Sequence, residues 1–203
     1  MVCKKENIVL CSISVLALAL MIGGCGESEA SYEIGNTGPA GGLIFYIDDA
    51  NAHTWTYLEA APHTWIGGAY YYANATWGPE GEAIGESAQG TAIGDGRANT
   101  TVIVNWLEDK PESGRAAQVA DGLELGGYSD WFLPSIDELD QMYLNLHERG
   151  IGSFTNNRYW SSSEYPGEGT PSNNNARVLN FNTGDLEPGS KSTSAWVRPI
   201  RAF

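Results

Sequence analysis

All three cysteines of this chain, Cys3, Cys11 and Cys25, fall within its first 25 residues. Whatever folds after Cys25 does so without an intramolecular disulfide, a zinc–thiolate site or an iron–sulfur cluster, and without a cysteine nucleophile. Such a domain depends on packing and hydrogen bonds, and 7 Trp, 10 Tyr and 5 Phe are available to fill its core.

The same cysteines carry an address. Lys4 and Lys5 precede an apolar stretch from Ile8 to Ile22 that only Ser12 and Ser14 interrupt. A basic start, a short apolar core and a small-residue exit make an export signal. As a helix the stretch rises about 22 Å, short of the roughly 30 Å hydrocarbon core, so it is a poor permanent span. Its exit, Leu20-Met21-Ile22-Gly23-Gly24-Cys25, resembles a bacterial lipoprotein signal. That resemblance implies removal of residues 1–24, lipid attachment at Cys25, and a polar tether completing residues 25–34. An ordinary signal with an incidental Cys25 is the competing reading. One acyl chain anchors only marginally; the two or three chains that the resemblance implies would anchor firmly. Gly26, where Asp would retain a lipoprotein at the inner membrane, favours the outer membrane or cell surface.

Roughly 180 residues then remain, enough for one domain with a sizeable core. Loss of Lys4, Lys5 and Glu6 with the signal leaves 9 basic and 24 acidic residues, a net charge of −15. Nucleic acid and anionic headgroups are repelled by such a surface. Solubility is the bland account of the same charge. Glycine, at 25 of 203 residues, exceeds the usual share of about 7% without a Gly-X-Y period, which indicates a loop-rich domain rather than collagen.

Along the chain, Gly41 to Ile47 reads as a buried strand after the Gly38-Pro39 turn, and Thr54 to Ala60 as its hairpin partner. Residues 62–98 have no sustained period and read as long, packed loops. A helix is expected from Asn99, capped by Asn99 or Thr100 and ended by Pro111, and a second from Arg115 to about Leu125, closed by Gly126-Gly127. The third is the clearest. Ser135 and Glu138 form a capping box ahead of the stripe Ile136, Leu139, Tyr143 and Leu146, and Gly150 stops the helix. Tyr159 to Ser162 and Ala176 to Phe181 read as strands, with Arg177, Leu179 and Phe181 on one face and Val178 and Asn180 on the other. The chain ends on the apolar strand Ala195 to Phe203, which a frayed terminus seldom carries. It is expected to pair with the strand at 42–47.

Several segments in this order resemble a known family. They are Gly35 to Tyr46, Leu58 to Pro62, Trp77-Gly78, the run Gly126-Gly127-Tyr128-Ser129-Asp130-Trp131-Phe132-Leu133-Pro134-Ser135 with Glu138-Leu139, Tyr159 to Ser163, Val178 to Phe181, and Val197-Arg198-Pro199-Ile200-Arg201. Together they look like the Lcl C-terminal domain family, over residues 35–203. The resemblance implies an α+β, C-type lectin-like fold: a small mixed or antiparallel sheet with paired N- and C-terminal strands, two to three helices and long loops. The signature around Trp131 looks structural, with Trp131 and Leu133 in the core, although Phe132 stands where a basic residue is frequent. No collagen-like stalk is present, and the Glu-Pro-Asn and Trp-Asn-Asp calcium motifs of animal C-type lectins are missing. A lectin-like fold does not by itself make a lectin.

Candidate ligand-binding residues cluster between Asn156 and Asp185: Arg158, Glu164, Tyr165, Asn173, Asn174, Asn175, Arg177, Asn180 and Asn182. Amides that both donate and accept suit sugar hydroxyls or protein contacts, and aromatic faces add stacking. Asn-rich turns are the structural alternative. Asn codons are adenine-rich, so a segment diversified by targeted mutagenesis is a further alternative. Trp160 and Ser161 to Ser163 are assigned to the core edge.

Catalysis has less support. The related formylglycine-generating enzymes need cysteines. His53, His63 and His147 lie beside no Gly-x-Ser-x-Gly, and Gly94-Asp95-Gly96 is too short for a phosphate loop. Asp137 and Asp140 read as a solvated helix face. Calcium at Asp48-Asp49 or Asp185 and Glu187 lacks the Asp-x-Asp-x-Asp-Gly spacing, so no metal or cofactor is expected. The expectation is a lipid-anchored surface protein that recognises an extracellular glycan or protein and does not bind nucleic acid. A structural envelope lipoprotein without a soluble ligand is the alternative. Anchored at Cys25, its Asn-rich loops would project away from the membrane.

Overall fold

The last strand sits where a buried charge holds it. In a computed structural model describing residues 31–65, 74–167 and 172–203, β1 (Leu43–Ile47), β2 (Tyr57–Ala60) and β8 (Ile200–Ala202) form an antiparallel sheet in the order β1-β2-β8. The terminal strand therefore pairs with β2, not with the strand at 42–47 as the sequence suggested. Its register sets Glu59 opposite Arg201 and Ala60 opposite Ile200. Glu59 is fully buried, and its carboxylate accepts from the Gly42 and Ala40 backbone N–H groups at 2.6 and 3.1 Å on one side while facing Arg201 Nη1 at 3.4 Å on the other. A carboxylate that must satisfy both flanks belongs in the middle strand, which leaves β1 at the edge.

A second sheet has five strands in the order β3-β7-β4-β5-β6. These are β3 (Asn74–Thr76), β4 (Arg158–Glu164), β5 (Asn175–Asn180), β6 (Asp185–Ser190) and β7 (Ser194–Trp196). All its pairings are antiparallel except that of β7 with β4. Strand alternation sends neighbouring side chains to opposite faces, and each face has its own cover. Trp160 and Val178 pack with Trp77 against α1 (Asp95–Glu108) and α2 (Ala116–Asp121). Tyr159, Leu179 and Phe181 pack against α3 (Ile136–Met142), which continues as a π-helical turn over Tyr143–His147, and against Phe45 and Leu58 of the first sheet. The described residues are thus α+β, with two open sheets and three α-helices among them. Trp77 and Trp160 donate across the layers to the Ser161 and Ala75 carbonyls at 2.8 and 2.9 Å.

The first helix begins at Asp95, one turn before the expected Asn99. Asn99 and Thr100 are buried inside it. Asn99 donates to the Gly90 carbonyl at 2.7 Å, and the Thr100 hydroxyl accepts from the Leu133 N–H at 3.0 Å. Close approach dictates the start: a Cβ on Gly96 would lie 2.2 Å from a Glu138 carboxylate oxygen. The Gly94-Asp95-Gly96 run is therefore a helix entry. The second helix stops at Gly122, and Gly126-Gly127, expected to close it, instead form the tight turn of Leu125 and Tyr128, both with positive φ (64° and 84°) as a primed hairpin turn requires. At the other end of the chain Tyr32 sets its ring edge-on to Tyr57 and Phe203. Tyr32–Phe203 forms one compact unit.

The third helix has the cap that its sequence spelled out. Ser135 Oγ accepts from the Glu138 N–H, and the Glu138 carboxylate accepts from the Ser135 N–H at 2.7 Å. Its other oxygen accepts from the Gly94 N–H at 2.9 Å, which joins the starts of the first and third helices. Burial pushes this carboxyl up to about 7, although the Ser135 and Gly94 donors oppose the rise. Because the folded group holds its proton to higher pH than the unfolded one, its stabilising contribution is complete below about 4.5 and is lost as the pH rises through about 7. The loss is of order 3 kcal/mol, at 1.36 kcal/mol per unit. Chemical denaturation between pH 4.5 and 8 is expected to show this decline in the whole chain and a flatter profile in Glu138→Gln.

Candidate functional site

The nine described candidates do not form one surface, because β5 holds them at its two ends. Six strand residues at about 3.3 Å each separate Asn175 from Asn180 by roughly 17 Å. At the far end Arg158, opposite Asn180 in the register, pairs with Glu187 at 2.6 Å. Asn180 Nδ2 donates to the same Glu187 at 3.2 Å, and its Oδ1 accepts from the Asn182 backbone N–H in the following turn. These three residues hold one another. Cys25 lies outside the described residues.

At the near end the asparagines use their backbones to close loops. The Asn174 carbonyl accepts from the Lys191 N–H at 2.8 Å and the Asn175 carbonyl from the Tyr165 N–H at 3.1 Å, while Asn173 Nδ2 reaches the Gly81 carbonyl at 3.4 Å. Glu164, expected to face a ligand, is instead buried within the protein. Its carboxylate accepts from the Ile84 and Gly85 N–H groups at 2.9 and 2.8 Å and pairs with Lys191 Nζ at 2.5 Å, both side chains being about 1% exposed. Lys191 also donates to the Glu82 carbonyl at 2.6 Å and lies over the Trp77 ring. This buried pair fastens the loop at 82–85 across the end of β4.

Tyr165 and Arg177 do meet. The guanidinium lies 5.1 Å from the centre of the Tyr165 ring. Among the described residues Arg177 is the only arginine with neither a hydrogen bond nor an ion pair to an acceptor from its side chain, and its Nε is buried without a partner. Arg158, Arg198 and Arg201 all have acceptors. Asp137, on the first turn of α3, is close enough for its charge to act on Arg177 without forming an ion pair. The sequence placed it on a solvated helix face, and it is exposed there. Its position across from β5 follows from the packing of α3 on the sheet, for which no local pattern is a signal.

A second feature is an open concavity of about 430 Å³, lined by Glu124, Leu125, Gly126, Gly127, Tyr128 and Ser129. Tyr128, 36% exposed, stacks one face on Arg201 at 3.8 Å. Arg201 in turn grips Asp130 through Nε at 2.9 Å, and Arg97 approaches the same carboxylate at 3.7 Å. Trp131 and Leu133 are buried below.

This turn lies within the stretch that the chain shares with a known family. The profile of the Lcl C-terminal domain family matches residues 48–201, about three quarters of the sequence. The chain belongs to the Lcl C-terminal domain family. No curated protein matches it. In this Lcl domain the residues of the Tyr128–Pro134 signature act as structure: Asp130 binds Arg201, Trp131 and Leu133 are core, and Phe132 bridges to Ile200 through paired N–H and carbonyl groups at 2.8 and 2.9 Å. Phe132 carries the Arg97 guanidinium on its ring at 4.6 Å.

Breaking a buried pair strands the remaining charge, which costs about 3–5 kcal/mol. Lys191→Met is accordingly expected to lower stability by about that amount in chemical denaturation. Faster hydrogen exchange at the Ile84 and Gly85 amides should accompany it, since their acceptor Glu164 loses its partner.

Proposed function

We propose that this chain is an exported bacterial lipoprotein, anchored through lipid on Cys25, whose Lcl domain has a C-type lectin-like fold and recognises an extracellular glycan or protein. Arg177 carries the reading. A guanidinium kept partly buried without an acceptor costs free energy, since an unsatisfied buried donor loses about 1–3 kcal/mol. Structural arginines elsewhere in the domain are matched to carboxylates or carbonyls, so a group left unmatched beside an aromatic ring suits a ligand that supplies the oxygens. The lectin-like assignment draws support from the small sheet that holds the chain's last strand, the ring contacts between Tyr32 and Phe203, and the helices and long loops around a second sheet. No helix of the described residues is long and apolar enough to cross a membrane.

The whole chain, purified in detergent, is expected to bind at least one component of an array of glycans and extracellular-matrix proteins. Arg177→Ala and Tyr165→Ala should each reduce that signal tenfold or more. A chain that bound nothing while its deletion weakened the envelope would be a structural lipoprotein instead. Anchoring has its own test. Cys25→Ser is expected to abolish incorporation of labelled palmitate and to release the protein from the membrane fraction; retention of either would remove the lipid from the proposal.

A further inference from the structure

The charges around Arg177 narrow what such a ligand is. On β5, Asn175 and Arg177 share the face that also carries Leu179, and Leu179 packs with Leu139 and Met142 of the third helix. Arg177 therefore points toward that helix, where Asp137 occupies the first turn. The two side chains are farther apart than an ion pair, yet the Arg177 charge lowers the Asp137 carboxyl, which partial burial and Asp95 raise above its ordinary value. Burial, and after it the Asp137 charge, raise Asp140, so more than one carboxylate lies on this part of the helix. Tyr165 supplies a ring against the guanidinium, and its backbone N–H is tied to the Asn175 carbonyl, which fixes the ring's base to β5.

We propose that the surface that carries Tyr165, Asn175, Arg177 and Asp137 binds a neutral sugar through a pair of adjacent hydroxyls that bridge the guanidinium and the carboxylate. This deepens the recognition reading and rests on it. Arg177 has only donors and Asp137, ionised, only acceptors. A hydroxyl both donates and accepts, so two neighbouring hydroxyls fill a donor–acceptor gap too wide for a direct ion pair. Tyr165 offers an apolar ring to the sugar's C–H face, and the Asn175 amide can pair with a further hydroxyl. An acidic ligand would satisfy Arg177 as well, but it would enter against Asp137, Asp140 and Asp95 in a chain of net charge −14. A cation would suit the carboxylates and leave Arg177 opposed. A neutral polyol is repelled by neither the guanidinium nor the carboxylate.

The test uses the whole chain in detergent micelles, titrated with the methyl glycosides of glucose, galactose and mannose, with methyl glucuronide as the anionic comparison. Nuclear magnetic resonance follows the Arg177 Nε–H and the Tyr165 amide. At least one neutral glycoside is expected to shift both resonances and to slow exchange of the Nε–H. Arg177→Lys keeps the charge and loses the planar fork; it should weaken binding tenfold or more, as should Asp137→Asn. Arg149→Ala, which removes a positive charge elsewhere, should leave binding unchanged. Amide spectra of each variant show whether the fold is intact. The proposal is overturned if only the glucuronide binds, if the shifts fall at residues 124–129 instead, if no glycoside shifts either resonance, or if Arg177→Lys binds like the parent chain. A positive array with silent Arg177 and Tyr165 resonances would sink the sugar site and spare the recognition reading. Glycoside binding at Arg177 with a silent array would support the sugar site and sink recognition of the arrayed surfaces.

Discussion

The Arg201 guanidinium, between Glu59 and Asp130, ties the middle strand of the small sheet to the signature turn. One edge of it faces the Glu59 carboxylate at 3.4 Å and another holds Asp130 at 2.9 Å, while its plane lies on Tyr128. Glu59 reaches on to the Ala40 and Gly42 amides. A single network, buried at Glu59 and Arg201 and open to solvent at Asp130, thus joins the turn before the first strand, the middle and last strands of the small sheet, and the signature turn at 126–130. Charged groups in such a position are costly to bury and more costly to leave unmatched. Every neighbouring backbone is consequently constrained. Glycines accept the constraint: a Cβ on Gly42 would sit 2.2 Å from the Ala60 carbonyl oxygen, and one on Gly126 would sit 2.4 Å from the Ala40 carbonyl oxygen.

The larger sheet is fixed by a comparable device at its own end. Glu164 closes β4 by taking two loop amides and Lys191, and the serines before it saturate their polar atoms locally. Ser161 Oγ donates to the Arg177 carbonyl at 2.8 Å, and Ser163 Oγ donates to the Gly90 carbonyl at 2.6 Å and accepts from the Ile136 N–H at 3.1 Å. A run of buried serines is stable only when every hydroxyl finds partners. Here the partners come from a long loop, a helix start and the next strand. This stands in for the covalent cross-links that the cysteine-free sequence after Cys25 lacks.

What the sequence disclosed follows the range of the forces involved. The capping box at Ser135 and Glu138 lies within four residues and appears where it was expected. Trp131, Leu133 and Trp160 are buried as their signature and apolar character suggested, and the opposite facing of Val178 and Leu179 is the period of a strand. Long-range pairings were less legible. That the last strand lies beside β2 depends on Glu59 and Arg201, 142 residues apart. The true start of the first helix depends on Gly96 meeting Glu138. Glu164 looked like a surface carboxylate because its partner Lys191 is 27 residues downstream and the amides it binds are some 80 residues upstream. The candidate site divided in the same way: Tyr165, Asn175 and Arg177 are brought together, while Arg158, Asn180 and Asn182 close the opposite end of the strand.

These two charged networks also sharpen the contrast on which the site depends. Arg201 and Lys191 are buried, and each is met by a carboxylate held by backbone amides. Arg158 is exposed and still pairs with Glu187. In a chain with 25 acidic residues against 11 basic ones, a carboxylate is the commonest neighbour a guanidinium can have. The separation between Arg177 and Asp137 is therefore informative: the Asp137 carboxylate acts through space but forms no ion pair, and its own helix is fixed by the Ser135 cap and the Glu138–Gly94 bond. Packing of the helix against β5 holds donor and acceptor apart, and the gap persists for as long as that packing does. A rigid fold that keeps an opposite pair from closing leaves both groups partly solvated and preorganised, which lowers the cost of binding a ligand with matching hydroxyls.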